Sequence, residues 1–320
     1  MTLWLSLMIS GCSEHELHRN VHEDVFTQER DDAVDILFVV DDSISMRQEQ
    51  ELVAFGFFRF VERLEEEDLS FHLGVVSTDM DDTNPDAGLL LGDPAVLTAA
   101  DEDFVPAFME RVQVGTEGSD KEQGLEAGYV AAQHPGNEGF LREEATLAVI
   151  FVSDENDCSN DDTLPDAADG RRCYDNQESL TSAYDYTRRY QGVKGVDGRV
   201  VASGIIGPPA SDGCEDSWPG QRYDTVIRKL DGITGNICEA DYEQILTEMG
   251  ERIAGPIRVF QLTYAAVEDT IELRVDNDLI EPDPLTGWVY DEAFWMIRFE
   301  GDYVPPPESR ISVEFTIAGG

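Results

Sequence analysis

Apolar residues along the chain fall into two textures, and the change between them comes near residue 255. Residues 36–40, I-L-F-V-V, are an unbroken apolar run with mostly β-branched or aromatic side chains. That pattern predicts a strand buried on both faces in the middle of a parallel sheet. Val53, Phe57, Phe60, Val61 and Leu64 then recur at helical spacing. A second strand is predicted over 71–77 and a short edge strand over 88–91. Phe104, Phe108 and Val112 mark a helix over 101–112, and another follows over 120–133. Residues 146–153 hold the second strongly apolar strand, and 200–206 a third; helices near 180–184, 221–230 and 242–253 and a short strand at 235–238 complete the alternation. Strands alternating with helices imply crossover connections and a mainly parallel sheet. Beyond 255 the runs 257–263, 271–275, 287–290, 294–299 and 311–317 are short, strand-like and separated by Pro, Gly and Asp clusters. They predict a small antiparallel β module.

The 320 residues suffice for one large domain and a smaller one, with 41% hydrophobic residues for the cores. No apolar run approaches the ~18–20 residues of a membrane-spanning helix. Sixty-seven acidic residues against 22 basic ones leave a net charge of −45. A surface of that sign repels phosphate and argues against a nucleic-acid partner. It suits local cation sites.

Candidate chemistry concentrates where the first strand ends. Asp41-Asp42-Ser43-Ile44-Ser45 follows the apolar run directly and leads into the first helix. In open α/β sheets ligands bind at that edge, and closely spaced hard oxygens on a tight turn suit Mg²⁺ or Ca²⁺. Asp41, Ser43 and Ser45 match D-x-S-x-S, the opening of the metal-ion-dependent adhesion site of von Willebrand factor A (VWA) domains. The phrase G-S-D-K-E-Q-G-L at 118–125 resembles that family's later G-G-T-x-x-x-x-G-L loop, with Ser119 in the threonine place and Thr116 as a fallback. The strand-ending F-V-S-D-E at 151–155 resembles its T-D-G element, with Asp154 as the acid and the glycine lost. Phrases such as D-I-L-F-V-V-D, H-L-G-V-V-S-T-D-M, G-F-L-R, V-I-F-V-S-D-E and G-W-V-Y also resemble VWA-containing lipoproteins of Gram-negative bacteria.

The resemblance implies a Rossmann-like VWA domain over 33–255, carrying an insertion at 155–177, with the β-rich module over 256–320. It implies a Mg²⁺ site (or Ca²⁺ or Mn²⁺) in which Ser43, Ser45 and Ser119 coordinate while Asp41 and Asp154 act mainly through waters, and a protein ligand that supplies an exposed Asp or Glu. Asp79 sits in an Asp-rich loop near the same edge and is a secondary metal candidate.

Residues 1–12 are mostly apolar and end I-S-G-C, similar to a bacterial lipobox, so Cys12 is expected to carry a lipid anchor to a membrane, the outer one of a Gram-negative envelope. Residues 13–32 read as a flexible acidic tether. Cys158, Cys173, Cys214 and Cys238 remain, an even number that suits disulfides in an exported chain. Three pairings are possible; Cys158–Cys173 and Cys214–Cys238 close the shortest loops. No G-x-S-x-G, H-E-x-x-H or P-loop occurs, and Ser43 stands where an aspartyl phosphatase needs a second acid. The expectation is therefore a non-enzymatic protein, with a metal-stabilised structural role or a metal-dependent phosphohydrolase as the alternatives.

Overall fold

A computed structural model describes residues 20–28, 32–160, 164, 170–195, 198–210, 217–301 and 303–319. It has a mixed α/β architecture with parallel and antiparallel sheet regions. The chain divides into two compact units. One is Glu29–Val259; the other joins the residues up to Gln28 with Phe260–Gly320.

In chain order, the first elements are β1 (Val21–Thr27), β2 (Ala33–Val40), α1 (Arg47–Glu66), β3 (Ser70–Ser77) and β4 (Leu97–Thr98). Next come α2 (Phe104–Arg111), α3 (Gly124–Ala131), β5 (Thr146–Ser153), α4 (Gly170–Asp175), α5 (Ala183–Lys194), β6 (Val200–Ile206) and α6 (Gln221–Lys229). Then β7 (Thr234–Asn236) and α7 (Glu243–Ala254) close the larger unit. The remainder is β8 (Val259–Gln261), β9 (Glu272–Val275), β10 (Asp278–Ile280), β11 (Trp288–Asp291), β12 (Met296–Phe299) and β13 (Arg310–Thr316).

The larger unit is built on a six-stranded sheet of order β4-β3-β2-β5-β6-β7. Every pairing is parallel except β3 with β4. Its central strands, β2 and β5, are buried along nearly their whole length, as their apolar runs require. Alternation along β2 then assigns each side chain to a layer. Val34, Ile36, Phe38 and Val40 face α1, α2 and α7, whereas Leu37 and Val39 face α3, α5 and α6. Phe38 meets Phe108 at a ring separation of 4.8 Å, and Phe57 stacks on Phe108 at 3.6 Å. Aromatic pairs of this kind add about 0.5–1.5 kcal/mol beyond area burial. Gly56 lets α1 close on α7, since a Cβ there would sit 2.8 Å from Leu246 Cδ1.

The chain leaves β2 toward β3 on one side and reaches β5 on the other. The carboxyl ends of β2 and β5, where the connections part to opposite faces, are therefore the place where open α/β sheets form their ligand crevice. At the opposite end Arg142 closes the sheet. It bonds the fully buried Asp35 carboxylate from its own amide and from Nε, and Nη2 reaches the carbonyls of Val34 and Ser70.

The smaller unit holds a four-stranded sheet of order β1-β13-β9-β10 and a three-stranded sheet of order β11-β12-β8. The pairings of β1 with β13, β13 with β9, β9 with β10 and β11 with β12 are antiparallel.

Three expectations need correction. The tether expected over 13–32 contains β1, paired with β13 from Val21–Thr316 to Thr27–Arg310. Buried Asp24 fastens that polar strand by accepting the amide and hydroxyl of Thr263. The edge strand expected over 88–91 is irregular chain, held by Asn137 Oδ1 accepting the Leu90 amide; the edge strand is β4. The helix expected over 120–133 begins only at Gly124, because 118–123 is committed to the loop cluster described next.

Candidate functional site

Four chain segments meet at the crevice. Asp41 continues the β2–β5 ladder, its amide donating to the Val152 carbonyl at 2.9 Å. Its fully buried carboxylate accepts the Ser43 amide at 2.8 Å on one oxygen and the Ser153 hydroxyl at 2.6 Å on the other. The loop after β2 is thereby locked to the end of β5. The Ser43 and Ser45 hydroxyls lie 3.1 Å apart, and the Ser45 hydroxyl lies close enough to the Asp154 carboxyl to lower its pKa against the effect of burial. One Asp154 oxygen, Oδ1, is buried without a partner.

Gln50, on the buried face of α1, ties the third segment in. Its Nε2 donates to the carbonyls of Asp41 at 2.9 Å and Gly115 at 2.7 Å. The Gly118 amide then donates to the Asp42 carbonyl at 3.1 Å. A Cβ on Gly118 would stand 2.0 Å from Asp42 Oδ1, so only glycine lets the segment approach this closely. The fourth segment follows β3. Ser77 donates to Asp42 Oδ2 at 2.7 Å, Thr78 donates to Glu122, and the Gln123 amide returns to the Thr78 carbonyl at 3.1 Å.

Four carboxyls are thus crowded into a dry region, and burial dominates the electrostatics of each. Burial, with the charge of Asp41 next in importance, pushes Asp154 up to about 8. Burial lifts Asp42 to about 6 against the opposing hydrogen bond from Ser77. Asp41 is raised by burial despite the bonds from Ser153 and Ser43. Glu122 is raised well above the usual carboxylate range by burial and by the charges of Asp41 and Asp42. Among the described residues none of the four has a Lys or Arg within ion-pair distance. Desolvated acids without a counter-charge cost free energy unless they keep a proton or meet a cation. Two hydroxyls, a partnerless carboxyl oxygen and neighbouring acids make an all-oxygen donor set, which fits a hard divalent cation. Among the described residues no group of three or more His, Cys, Asp or Glu is placed to hold a metal. The donor set here is of another kind, half of it hydroxyl.

Of the residues singled out from the sequence, Asp41, Ser43 and Ser45 form one connected network, with the Asp154 carboxyl beside it. Ser119 lies next to Gly118 in the third segment, and its hydroxyl accepts the Lys121 amide at 3.1 Å. The Thr116 hydroxyl accepts from Arg47 at 3.2 Å. Asp79 closes its own loop, accepting the Asp81 amide and the Asn84 side chain. Asp42, Gln50 and Glu122 were not foreseen. Gln50 had a signal: with Met46, Val53 and Phe57 it shares the apolar face of α1, where a polar residue needs a buried partner.

The insertion after β5 is pinned beside the site. Cys158 and Cys173 form a disulfide across 15 residues, and Arg222 pairs with Asp157 at 2.9 Å in a fully enclosed contact. Cys238 is also disulfide-bonded, while Cys12 and Cys214 lie outside the described residues. Among the described residues no helix is long and apolar enough to cross a membrane.

No protein-family model and no curated protein matches the chain. Among solved structures it is similar to the pilus adhesin SpaC from Lactobacillus rhamnosus GG, at 12% identity and a TM-score of 0.40 over 94% of this chain. It is similar to the PilB minor pilin from Streptococcus sanguinis, at 10% identity and a TM-score of 0.41 over 71% of this chain. It is also similar to proximal thread matrix protein 1 from the mussel byssus, at 15% identity and a TM-score of 0.39 over 75% of this chain. The chain spans 42% of the adhesin, 62% of the pilin and 51% of the matrix protein. The expected localisation in a Gram-negative outer membrane is corrected: the likenesses are to a pilus adhesin of Lactobacillus rhamnosus GG and a minor pilin of Streptococcus sanguinis, not to Gram-negative lipoproteins.

Proposed function

We propose that the crevice at the carboxyl ends of β2 and β5 binds a divalent cation, Mg²⁺, Ca²⁺ or Mn²⁺, and through it an acidic side chain of a protein partner. The larger unit is read as a VWA-type, Rossmann-like domain, whose sheet order and parting connections suit that role. The observation carrying the proposal is the Ser43–Ser45 hydroxyl pair set beside Asp154, whose buried Oδ1 has no partner. Ser43, Ser45 and Asp154 would hold the ion, with Ser119 from the third segment. Thr116 and Asp79 are lesser candidates: Thr116 accepts from the Arg47 cation, and Asp79 is bound to the Asp81 amide and the Asn84 side chain of its own loop. Asp41 works from behind: it orients Ser43 through the amide and Ser153 through the hydroxyl, and its charge favours a cation in front of it. A bound ion would supply a Lewis-acidic position for a carboxylate oxygen, because hydroxyl ligands do not neutralise it. The chain's part is to keep that position open, at the mouth of a crevice.

Isothermal titration of the full chain with each cation tests this. One site is expected, lost in Ser45→Ala and in Asp154→Ala while circular dichroism is unchanged. Titrations that show no site, or a site indifferent to both substitutions, contradict the proposal. The crowding of four buried carboxyls also favours a second reading, in which the ion only rigidifies the loops. Under that reading Ser43→Ala lowers the melting temperature and leaves partner capture intact.

A further inference from the structure

Among the described residues Ile44 is the most exposed of the large apolar side chains, at 83%, and it stands between the two serines of the cation loop. Its outward position is imposed by the backbone. Ile44–Met46 forms a tight turn closed by the Met46 amide on the Ser43 carbonyl at 3.2 Å, with Ser43 and Met46 both buried. Ser43 and Met46 anchor the turn inward while Ile44, at its apex, is held in solvent. A ligand carboxylate reaching the hydroxyl pair must pass within one residue of it. The segments around the opening also expose Asp82, Glu117 and Asp120, on a chain of net charge −45. A partner with an extended acidic surface is repelled there.

We infer that Ile44 is a specificity-determining residue, selecting a partner segment in which one acidic residue sits beside an apolar residue and is flanked by basic ones. The inference rests on the cation reading above and deepens it. The acid enters the crevice, the apolar neighbour covers Ile44, and the flanking cations meet the acidic rim. Ile44 itself takes no part in holding the ion.

The test uses the full chain loaded with Mn²⁺ and two blocked peptides of equal charge, Lys-Leu-Asp-Lys and Lys-Ser-Asp-Lys, titrated calorimetrically. The leucine peptide is expected to bind at least about threefold more tightly, the effect of one partly buried aliphatic side chain. In Ile44→Ser that preference disappears while Mn²⁺ affinity stays at the wild-type value. Equal binding of the two peptides to the wild-type chain overturns the inference and leaves the cation reading standing, as does a preference that survives in Ile44→Ser. Loss of Mn²⁺ affinity in Ile44→Ser overturns it too, by making the residue part of the loop's structure. A wild-type chain that binds no Mn²⁺ removes the cation reading and the inference with it.

Discussion

Asp154→Asn gives the most informative perturbation, because the carboxyl it removes is buried beside other acids. In the folded chain Asp154 holds its proton up to about pH 8, against an ordinary value of 3.8. Between those values the folded form keeps a proton that the unfolded chain has released, so stability must fall as pH rises. The loss is about 1.4 kcal/mol per pH unit, on the order of 5 kcal/mol across the window. It is absent below about pH 4 and complete above about pH 8. Asp42, lifted to about 6, adds a smaller loss of the same sign at the acid end of the range. Urea unfolding in the presence of chelator, followed by tryptophan fluorescence at about pH 5 and about pH 8.5, measures the effect. Wild-type chain is expected to be weaker at the higher pH, and Asp154→Asn to be less sensitive by several kcal/mol. The rest of the acidic surface titrates in both proteins, so the difference isolates this carboxyl. Excess Mg²⁺ should restore the wild-type chain at the higher pH and leave the variant unmoved, since a ligand stabilises only the form that binds it. A variant less stable than wild type at about pH 8.5 in chelator refutes the reasoning, for then the carboxylate was stabilising.

Other substitutions probe the frame around the site. Gly118→Ala places a methyl on the Asp42 carboxylate and should cost about 2–4 kcal/mol in thermal or urea unfolding; a neutral result means the segment moves freely. Gln50→Leu leaves the buried Asp41 carbonyl without its donor, at about 1–3 kcal/mol, frees the exposed Gly115 carbonyl to water, and should weaken cation affinity in the same titration that reports stability. Arg142→Met strands the buried Asp35 charge at the far end of the sheet, an expected loss of about 3–5 kcal/mol that Asp35→Asn in the same chain partly restores.

How much of this was legible in the sequence differs from element to element. The runs forming β2 and β5 were readable because both faces of each strand are buried, so hydrophobicity alone marks them. β1 was hidden: V-H-E-D-V-F-T looks like solvated tether, and its inward residue is Asp24, satisfied by a threonine more than two hundred positions away. β4 is two residues long, too short for any periodicity, while the apolar residues 89–91 beside it drew the strand assignment instead. Asp41, Ser43, Ser45 and Asp154 stood out in the sequence through their resemblance to the D-x-S-x-S and T-D-G elements at strand ends, and the structure sets them near one another. Glu122 was not, because an acid in an acidic loop looks solvated. Its burial arises only when the segments after β2, β3 and β5 converge around it.

The central claim is that a cation is held between the Ser43–Ser45 hydroxyl pair and Asp154. Crystals of the full chain grown with MnCl₂ and measured at the manganese absorption edge test it most directly. The account predicts one strong anomalous peak within coordination distance of Ser43 Oγ, Ser45 Oγ and an Asp154 oxygen or its bound water. A well-ordered crevice with no peak there, with manganese found only at surface carboxylates elsewhere, would contradict it.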